Sequence, residues 1–114
     1  RVGRDARGGE KPMQGELQDT AVVTACGEID IDTAPALGLA LLAALRTHRE
    51  VTLDLSEVTF MDCAGLRELV NARNQADRRG SNLILRGAGA PVLRLLRLTG
   101  LDRRLRPDLP RRAL

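Results

Sequence analysis

The stretch VTLDLSEVTFMDCAGL, residues 51–66, carries the clearest structural signal in this chain. Its apolar residues Val51, Leu53 and Leu55 alternate with polar ones, which is the pattern of a strand with one face packed on helices. We predict that this strand lies centrally in a sheet. The segment TFMDCAG, residues 59–65, then leads into a helix, and a strand that passes through a short loop into a helix is typical of α/β folds.

Strand and helix patterns continue on the N-terminal side. AVVTACG, residues 21–27, is rich in β-branched residues and predicts a second strand. Residues 13–17 predict a weaker edge strand. A helix is expected to follow from Thr33, which suits the N-cap position, with Pro35 in the first turn, where its missing N–H costs nothing.

The same alternation continues on the C-terminal side. The helix after residue 65 is expected to end at Gly80, which supplies a left-handed stop. NLILR, residues 82–86, predicts a short strand, residues 91–100 predict a short helix, and residues 102–114 have room for one edge strand. We therefore expect a single small α/β domain, with a mixed, partly parallel β-sheet of four to five strands packed by three to four α-helices.

Chain length limits the number of domains. A chain of 114 residues has room for one core, since two separate domains would each be too small. Residues 1–12 are charged and glycine-rich and predict a disordered N-terminal tail. Residues 13–106 are expected to form the domain, and residues 107–114 a basic C-terminal tail. Because the first residue is Arg1, the sequence leaves open whether the chain is part of a longer protein.

Composition argues against several classes of protein. No apolar run has the length that crosses a membrane and no signal-peptide pattern is present, so we expect a cytoplasmic protein without membrane contact. Cys26 and Cys63 lie far apart and His48 is the only histidine, so neither a zinc site nor a disulfide framework is predicted. The arginine-rich C terminus has no aromatic residue nearby to stack on bases, which argues against a nucleic-acid partner.

Two loops are candidates for a site, because parallel strands end at the same sheet edge and ligands bind there. These loops are Glu28–Thr33 and Thr59–Gly65. The second leads into a helix N terminus, whose unpaired N–H groups attract negative charge. The acidic residues of the first loop have no second set of ligands and no calcium-loop spacing, so neither a metal nor a cofactor is predicted.

Three segments of the sequence resemble the STAS domain family, which includes anti-sigma factor antagonists and the cytoplasmic domains of sulphate transporters. They are GEIDIDTAPAL (residues 27–37), residues 51–66, and the helix that ends in RRG at residue 80 with a strand after it. The match covers roughly residues 13–106. The resemblance implies a protein that is not an enzyme and that binds an anti-sigma factor of the serine-kinase type.

The family's switch motif is similar to residues 60–66, but with one departure. Cys63 stands where the antagonists carry the serine that the partner kinase phosphorylates. A thiol is not an acceptor for such a kinase, and the phosphate would have added close to two negative charges. We therefore expect the usual off-switch to be absent, unless Ser56 or Thr59 serves instead. The resemblance implies the following partner-binding residues: Glu28, Asp30, Asp32, Thr33, Asp62, Cys63, Ala64, Gly65 and Leu66.

Other interpretations stay open. Asp62 suits a helix cap as well as a partner contact. Cys63 is either an inert substitute for serine or a redox-sensitive thiol, whereas a nucleophile needs a base and His48 lies at the opposite end of the strand. The alternatives to an antagonist are a redox-responsive switch and a small-ligand or nucleotide-binding module that uses the GAGA turn, residues 87–90. The oligomeric state is undetermined between a monomer and a weak dimer.

Overall fold

The computed structural model describes residues 2–5 and 18–105. Between residues 18 and 99 strands and helices alternate as the sequence predicts. The strands are β1 (Val2–Asp5), β2 (Gln18–Ile29), β3 (His48–Met61) and β4 (Asn82–Arg86). The helices are α1 (Ala34–Thr47), α2 (Cys63–Arg79), α3 (Ala90–Thr99) and α4 (Asp102–Leu105).

The described strands form one sheet in the order β1-β2-β3-β4. β1 is antiparallel to β2, whereas β2, β3 and β4 run parallel to one another. Parallel neighbours need a crossover connection, and α1 and α2 supply the two crossovers. The predicted single α/β domain with a mixed, partly parallel sheet is confirmed.

The core is built from aliphatic side chains of the sheet and the helices. Val51, Leu53 and Leu55 of β3 are fully buried, which confirms the alternating pattern of that strand. Leu37 and Leu41 of α1 are buried in the same core. A fully buried side chain of this kind contributes roughly 1.5–3 kcal/mol relative to exposure, so these positions hold α1 on the central strands.

The two central strands extend further than the sequence predicts. β2 continues to Ile29 and β3 continues to Met61, because Glu28 pairs with Phe60 and Ile29 pairs with Met61. Two register shifts earlier in β2 accompany this pairing. Both predicted loops are therefore shorter than expected, and a single residue, Asp62, separates β3 from α2.

The described C-terminal residues also differ from expectation. Residues 102–105 form the short helix α4 instead of an edge strand. Leu105 is buried in the core, and an Arg104 guanidinium N–H donates a 3.0 Å hydrogen bond to the carboxylate of Asp77 on α2. These contacts hold the segment against helix α2.

The N-terminal residues give one further correction. Residues 2–5 fall in the stretch 1–12, where we expected a disordered tail, but they pair with β2 as an edge strand. The weaker strand expected at residues 13–17 and the tail at residues 107–114 lie outside the described residues. The limits of the domain therefore stay a prediction.

Helix length bears on the membrane prediction. A bilayer needs about 20 apolar residues in a helix. The longest described helix, α2, has 17 residues. Among residues 2–5 and 18–105, no helix is long and apolar enough to span a membrane.

Candidate functional site

The ends of β2 and β3 lie side by side at one edge of the sheet. Ile29 pairs with Met61, and the residues that follow them are Asp30 and Asp62. The backbone N–H of Asp62 donates a 3.2 Å hydrogen bond to the carbonyl oxygen of Ile29. The two predicted loops therefore meet, as expected where parallel strands end together.

Asp62 caps helix α2. Its carboxylate oxygen Oδ1 accepts hydrogen bonds from the backbone N–H groups of Ala64, at 2.8 Å, and Gly65, at 3.4 Å. Its carbonyl oxygen accepts from the N–H of Leu66 at 3.1 Å. The side chain thus satisfies two N–H groups that have no partner within the helix, and the carbonyl accepts the first helical hydrogen bond. The capping interpretation of Asp62 is confirmed.

Asp30 closes the turn in the neighbouring connection. Its Oδ1 accepts from the N–H of Asp32 at 3.0 Å and from the N–H of Thr33 at 3.1 Å. Its carbonyl oxygen accepts from the N–H of Ala34 at 2.7 Å. The chain thus enters α1 through a turn that is closed by Asp30.

The role of Thr33 differs from the prediction. Thr33 occupies the N-cap position of α1, but its side chain caps no helical N–H group. Its hydroxyl instead donates to the carbonyl oxygen of Glu28 at 2.9 Å and accepts from the N–H of Asp30 at 2.9 Å. The turn is therefore tied back to the end of β2.

This edge of the sheet is negatively charged. The hydrogen bond from the backbone N–H of Thr33, followed by that from Asp32, lowers the pKa of Asp30 below its ordinary value. No Lys or Arg occurs in residues 18–45 or 50–66, so no basic side chain from those segments offsets the charge. The carboxylates at this edge are those of Glu28, Asp30, Asp32 and Asp62.

Gly65 lets α2 lie directly against the strand ends. A β-carbon at this position would lie 2.7 Å from Cγ2 of Ile29 and 2.8 Å from Cγ of Met61. Leu66 is only 4% exposed and belongs to the core. Gly65 and Leu66, two of the predicted partner-binding residues, are therefore buried and support the surface from beneath.

The other predicted contact residues reach solvent to different extents. Glu28, Asp32 and Cys63 are exposed, and the remaining four are half-buried. Cys63 is the first residue of α2, directly after the cap. The half-buried residues are Asp30, Thr33, Asp62 and Ala64.

Two exposed apolar residues were missed by the sequence reasoning. Ile31 is 74% exposed and lies in the Asp30 turn, while Phe60 is 47% exposed and lies beside Glu28. Phe60 is the only aromatic residue of the chain, which was a signal that could have drawn attention to it. Ile31 continues the alternation after Ile29, so its exposure became evident only once the strand was found to end before it.

The sole histidine is far from Cys63. His48 begins β3, and Cys63 follows the end of that strand, which has 14 residues. At about 3.3 Å per residue this separates them by roughly 40 Å. Cys26 is half-buried in β2 and is not joined to Cys63 by a disulfide. Within the described residues no group of three His, Cys, Asp or Glu is arranged to hold a metal ion.

The glycine turn after β4 has a packing role. Gly87 has φ 75°, and a β-carbon there would lie 3.0 Å from Cβ of Ser56 and 3.2 Å from Oδ1 of Asp54. Burial opposes ionisation of Asp54, but hydrogen bonds from Ser56 and Arg86 outweigh it and lower its pKa. Close contact with β3 therefore accounts for this glycine without a bound nucleotide.

Comparisons of the sequence with known proteins agree with one another. The family described as Mlab, STAS domain, matches residues 13–109. The anti-sigma-B factor antagonist of Listeria monocytogenes is 38% identical over 77 residues, which cover 67% of this chain and 68% of that protein. The protein of the same name from Bacillus subtilis is 30% identical over 79 residues, covering 69% of this chain and 72% of that one.

Solved structures have a similar fold. The anti-sigma factor antagonist SpoIIAA in its unphosphorylated form aligns with a TM-score of 0.72 and 15% identity, over 99% of this chain and 92% of that one. An anti-sigma factor antagonist from Mycobacterium paratuberculosis aligns with a TM-score of 0.71 and 27% identity, over 96% of this chain and 87% of that one. The SpoIIAA alignment bears on the fold alone.

Proposed function

The chain belongs to the STAS domain family, and we propose that it is an anti-sigma factor antagonist that binds an anti-sigma factor through the turns after β2 and β3. Relatives that are named anti-sigma-B factor antagonists support this proposal. By holding the anti-sigma factor, the protein influences the release of a sigma factor. The proposed activity is binding and not catalysis, and its proposed location is the cytoplasm.

The observation that carries the proposal is the position of Cys63. It is exposed at the first residue of α2, at the point of the family motif where the phosphorylated serine stands, and next to the Asp30 turn. Both turns are held by side-chain hydrogen bonds, so the surface is formed before a partner arrives and loses little conformational entropy on binding. The proposed contact residues are Glu28, Asp30, Asp32, Thr33, Asp62, Cys63 and Ala64.

The thiol at this position changes how the protein is regulated. A serine-kinase anti-sigma factor transfers phosphate to a hydroxyl oxygen, which Cys63 lacks. A phosphate on a serine at position 63 would add negative charge beside four carboxylates, and the repulsion between these like charges would be unfavourable. We therefore expect Cys63 to leave the protein in its binding state in the presence of the kinase and ATP.

A redox-responsive switch is the second candidate, because Cys63 is exposed at a helix start. Peroxide converts an accessible thiolate to a sulfenic acid, and a second equivalent converts it to the negatively charged sulfinate. A negative group at residue 63 would then resemble the serine phosphate in position and sign. This candidate uses the same binding surface and differs only in the modification that prevents binding, which is oxidation and not phosphorylation.

The test uses purified proteins. Each serine-kinase anti-sigma factor that is encoded in the source genome is mixed with wild-type protein or with Cys63→Ser, with and without ATP. Binding is measured by calorimetry and phosphate by intact mass. We expect one kinase to bind the wild type equally well with and without ATP, while Cys63→Ser gains the mass of one phosphate and loses binding.

Matched variants separate the alternatives. Ser56→Ala and Thr59→Ala, each in the Cys63→Ser background, should still gain phosphate if residue 63 is the acceptor. Phosphate on the wild type would instead assign the switch to Ser56 or Thr59. If none of the kinases binds the wild type, the antagonist proposal is wrong. Loss of binding after peroxide in the wild type, but not in Cys63→Ser, would establish the redox switch.

A further inference from the structure

We propose that Ile31 and Phe60 are the apolar anchors of the binding surface, and that the anti-sigma factor receives them in an apolar pocket rimmed by Arg or Lys side chains. This inference rests on the proposed function and adds the residues that select the partner. Neither residue takes part in the core or in the capping of the helices, so the fold itself gives no reason for their exposure.

Ile31 is presented on a rigid turn. The N–H groups of the two following residues, Asp32 and Thr33, donate to the carboxylate of Asp30, and the hydroxyl of Thr33 donates to the carbonyl oxygen of Glu28. Ile31 lies within this closed turn and is 74% exposed. An apolar side chain held out in water by a rigid turn is suited to act as an anchor, because little flexibility is lost when it is buried.

Phe60 belongs to the same edge. It pairs with Glu28, and its neighbour Met61 is buried in the core, so Phe60 lies on the opposite face of the strand. Glu28 is also the residue whose carbonyl oxygen holds the turn that contains Ile31. Backbone contacts of Glu28 therefore link the strand position of Phe60 to the turn that contains Ile31. Aromatic residues are enriched among those that dominate binding energy.

The acidic residues around Ile31 and Phe60 indicate the charge expected on the partner. Glu28, Asp30 and Asp32 lie within three residues of Ile31 in sequence, Glu28 pairs with Phe60, and all three carboxylates are exposed or half-buried. No Lys or Arg occurs in residues 18–45 or 50–66. Complementary charge fixes orientation and suppresses wrong partners. A basic rim around an apolar pocket is the surface that fits this arrangement of an apolar centre with an acidic border.

Another exposed apolar residue has the opposite surroundings and provides a control. Leu98 on α3 is 77% exposed, and its helix neighbours include Arg94 and Arg97. Among the described residues it matches Ile31 in exposure but lies in a basic setting. If exposure alone governed binding, Leu98 and Ile31 would be equivalent.

The experiment measures affinity for the kinase anti-sigma factor that binds the wild type in the test above. We expect Ile31→Ala and Phe60→Ala each to weaken binding at least tenfold, and Leu98→Ala to change it less than twofold. Asp32→Lys should weaken binding at low salt more than at high salt, because exposed charges are screened. Urea unfolding verifies that each variant is folded. If Phe60→Ala does not fold, Phe60→Leu replaces it.

The outcomes are distinct. If the wild type binds one of the kinases and Ile31→Ala and Phe60→Ala bind it as tightly, the anchors are wrong while the antagonist function stands. Equal weakening by Leu98→Ala would also overturn the assignment, because it would mean a general loss of apolar contact. If the wild type binds none of the kinases, both proposals fail.

Discussion

Gly65 of α2 packs directly against Ile29 at the end of β2: a β-carbon on Gly65 would lie 2.7 Å from Cγ2 of Ile29. Gly65 lies three residues after the cap Asp62 and two after Cys63, so this contact determines how closely the start of the helix approaches the sheet. The position of the candidate site therefore depends on a residue that is itself buried.

Gly65→Ala is expected to destabilise the protein by about 1–3 kcal/mol, the usual cost of an overpacked contact. The added methyl group must displace Ile29, Met61 or the start of α2. Urea unfolding checks the prediction. Gly89→Ala is the control, since a β-carbon there meets only Pro91 Cδ at 3.7 Å, and it should cost less than about 1 kcal/mol. Equal effects of the two variants would contradict the packing role.

Asp62→Ala should lower the free energy of unfolding by about 0.5–2 kcal/mol, because it removes the cap of α2. Asp62→Asn keeps an acceptor oxygen in the same place and should retain most of that stability. Chemical unfolding of the three proteins measures both differences. If Asp62→Asn lost as much as Asp62→Ala, charge and not hydrogen bonding would be the stabilising feature.

Asp30 should contribute a pH-dependent share of the stability. Its pKa is lowered in the folded state by the N–H groups of Thr33 and Asp32, so the ionised form is favoured by folding. This contribution is present above the ordinary carboxyl pKa of 3.8 and is lost as the pH falls through the lower folded value. The difference in urea midpoint between wild type and Asp30→Asn should therefore shrink in acid.

A direct titration completes that test. The Asp30 carboxyl resonance, followed by NMR, should give a pKa below 3.8. A value at or above 3.8 would mean that the hydrogen bonds of the turn do not favour the charged form. Asp102→Asn, at the half-buried first residue of the short helix α4, is the control substitution for the urea comparison.

Cys63 should react with a maleimide faster than Cys26 under native conditions, because Cys63 is exposed and Cys26 is half-buried. Mass spectrometry of peptides after limited labelling gives the two rates. The label adds bulk at the proposed interface, so singly labelled protein should lose affinity for the anti-sigma factor. Cys63→Ser treated in the same way should keep its affinity, and labelling that leaves wild-type binding intact would place Cys63 outside the interface.

The local sequence was sufficient for most of the architecture. Val51, Leu53 and Leu55 alternate within one segment, and Gly80 ends α2 with φ 73° as predicted. Such signals depend on neighbours in sequence, and the strands, helices and parallel order followed from them. The resemblance to STAS domains likewise depended on short continuous motifs, including the one in which Cys63 replaces serine.

Tertiary structure alone decided how the site is built. The pairing of Ile29 with Met61 joins residues far apart in sequence, and it extended both strands and placed Asp30 beside Asp62. That pairing leaves Asp30 to close the turn before α1, because the chain turns as soon as β2 ends. Burial against the strand ends likewise separates Gly65 and Leu66, which support the surface, from Ile31 and Phe60, which are exposed on it. Register and burial are properties of segments packed together, and no single segment of the sequence contains them.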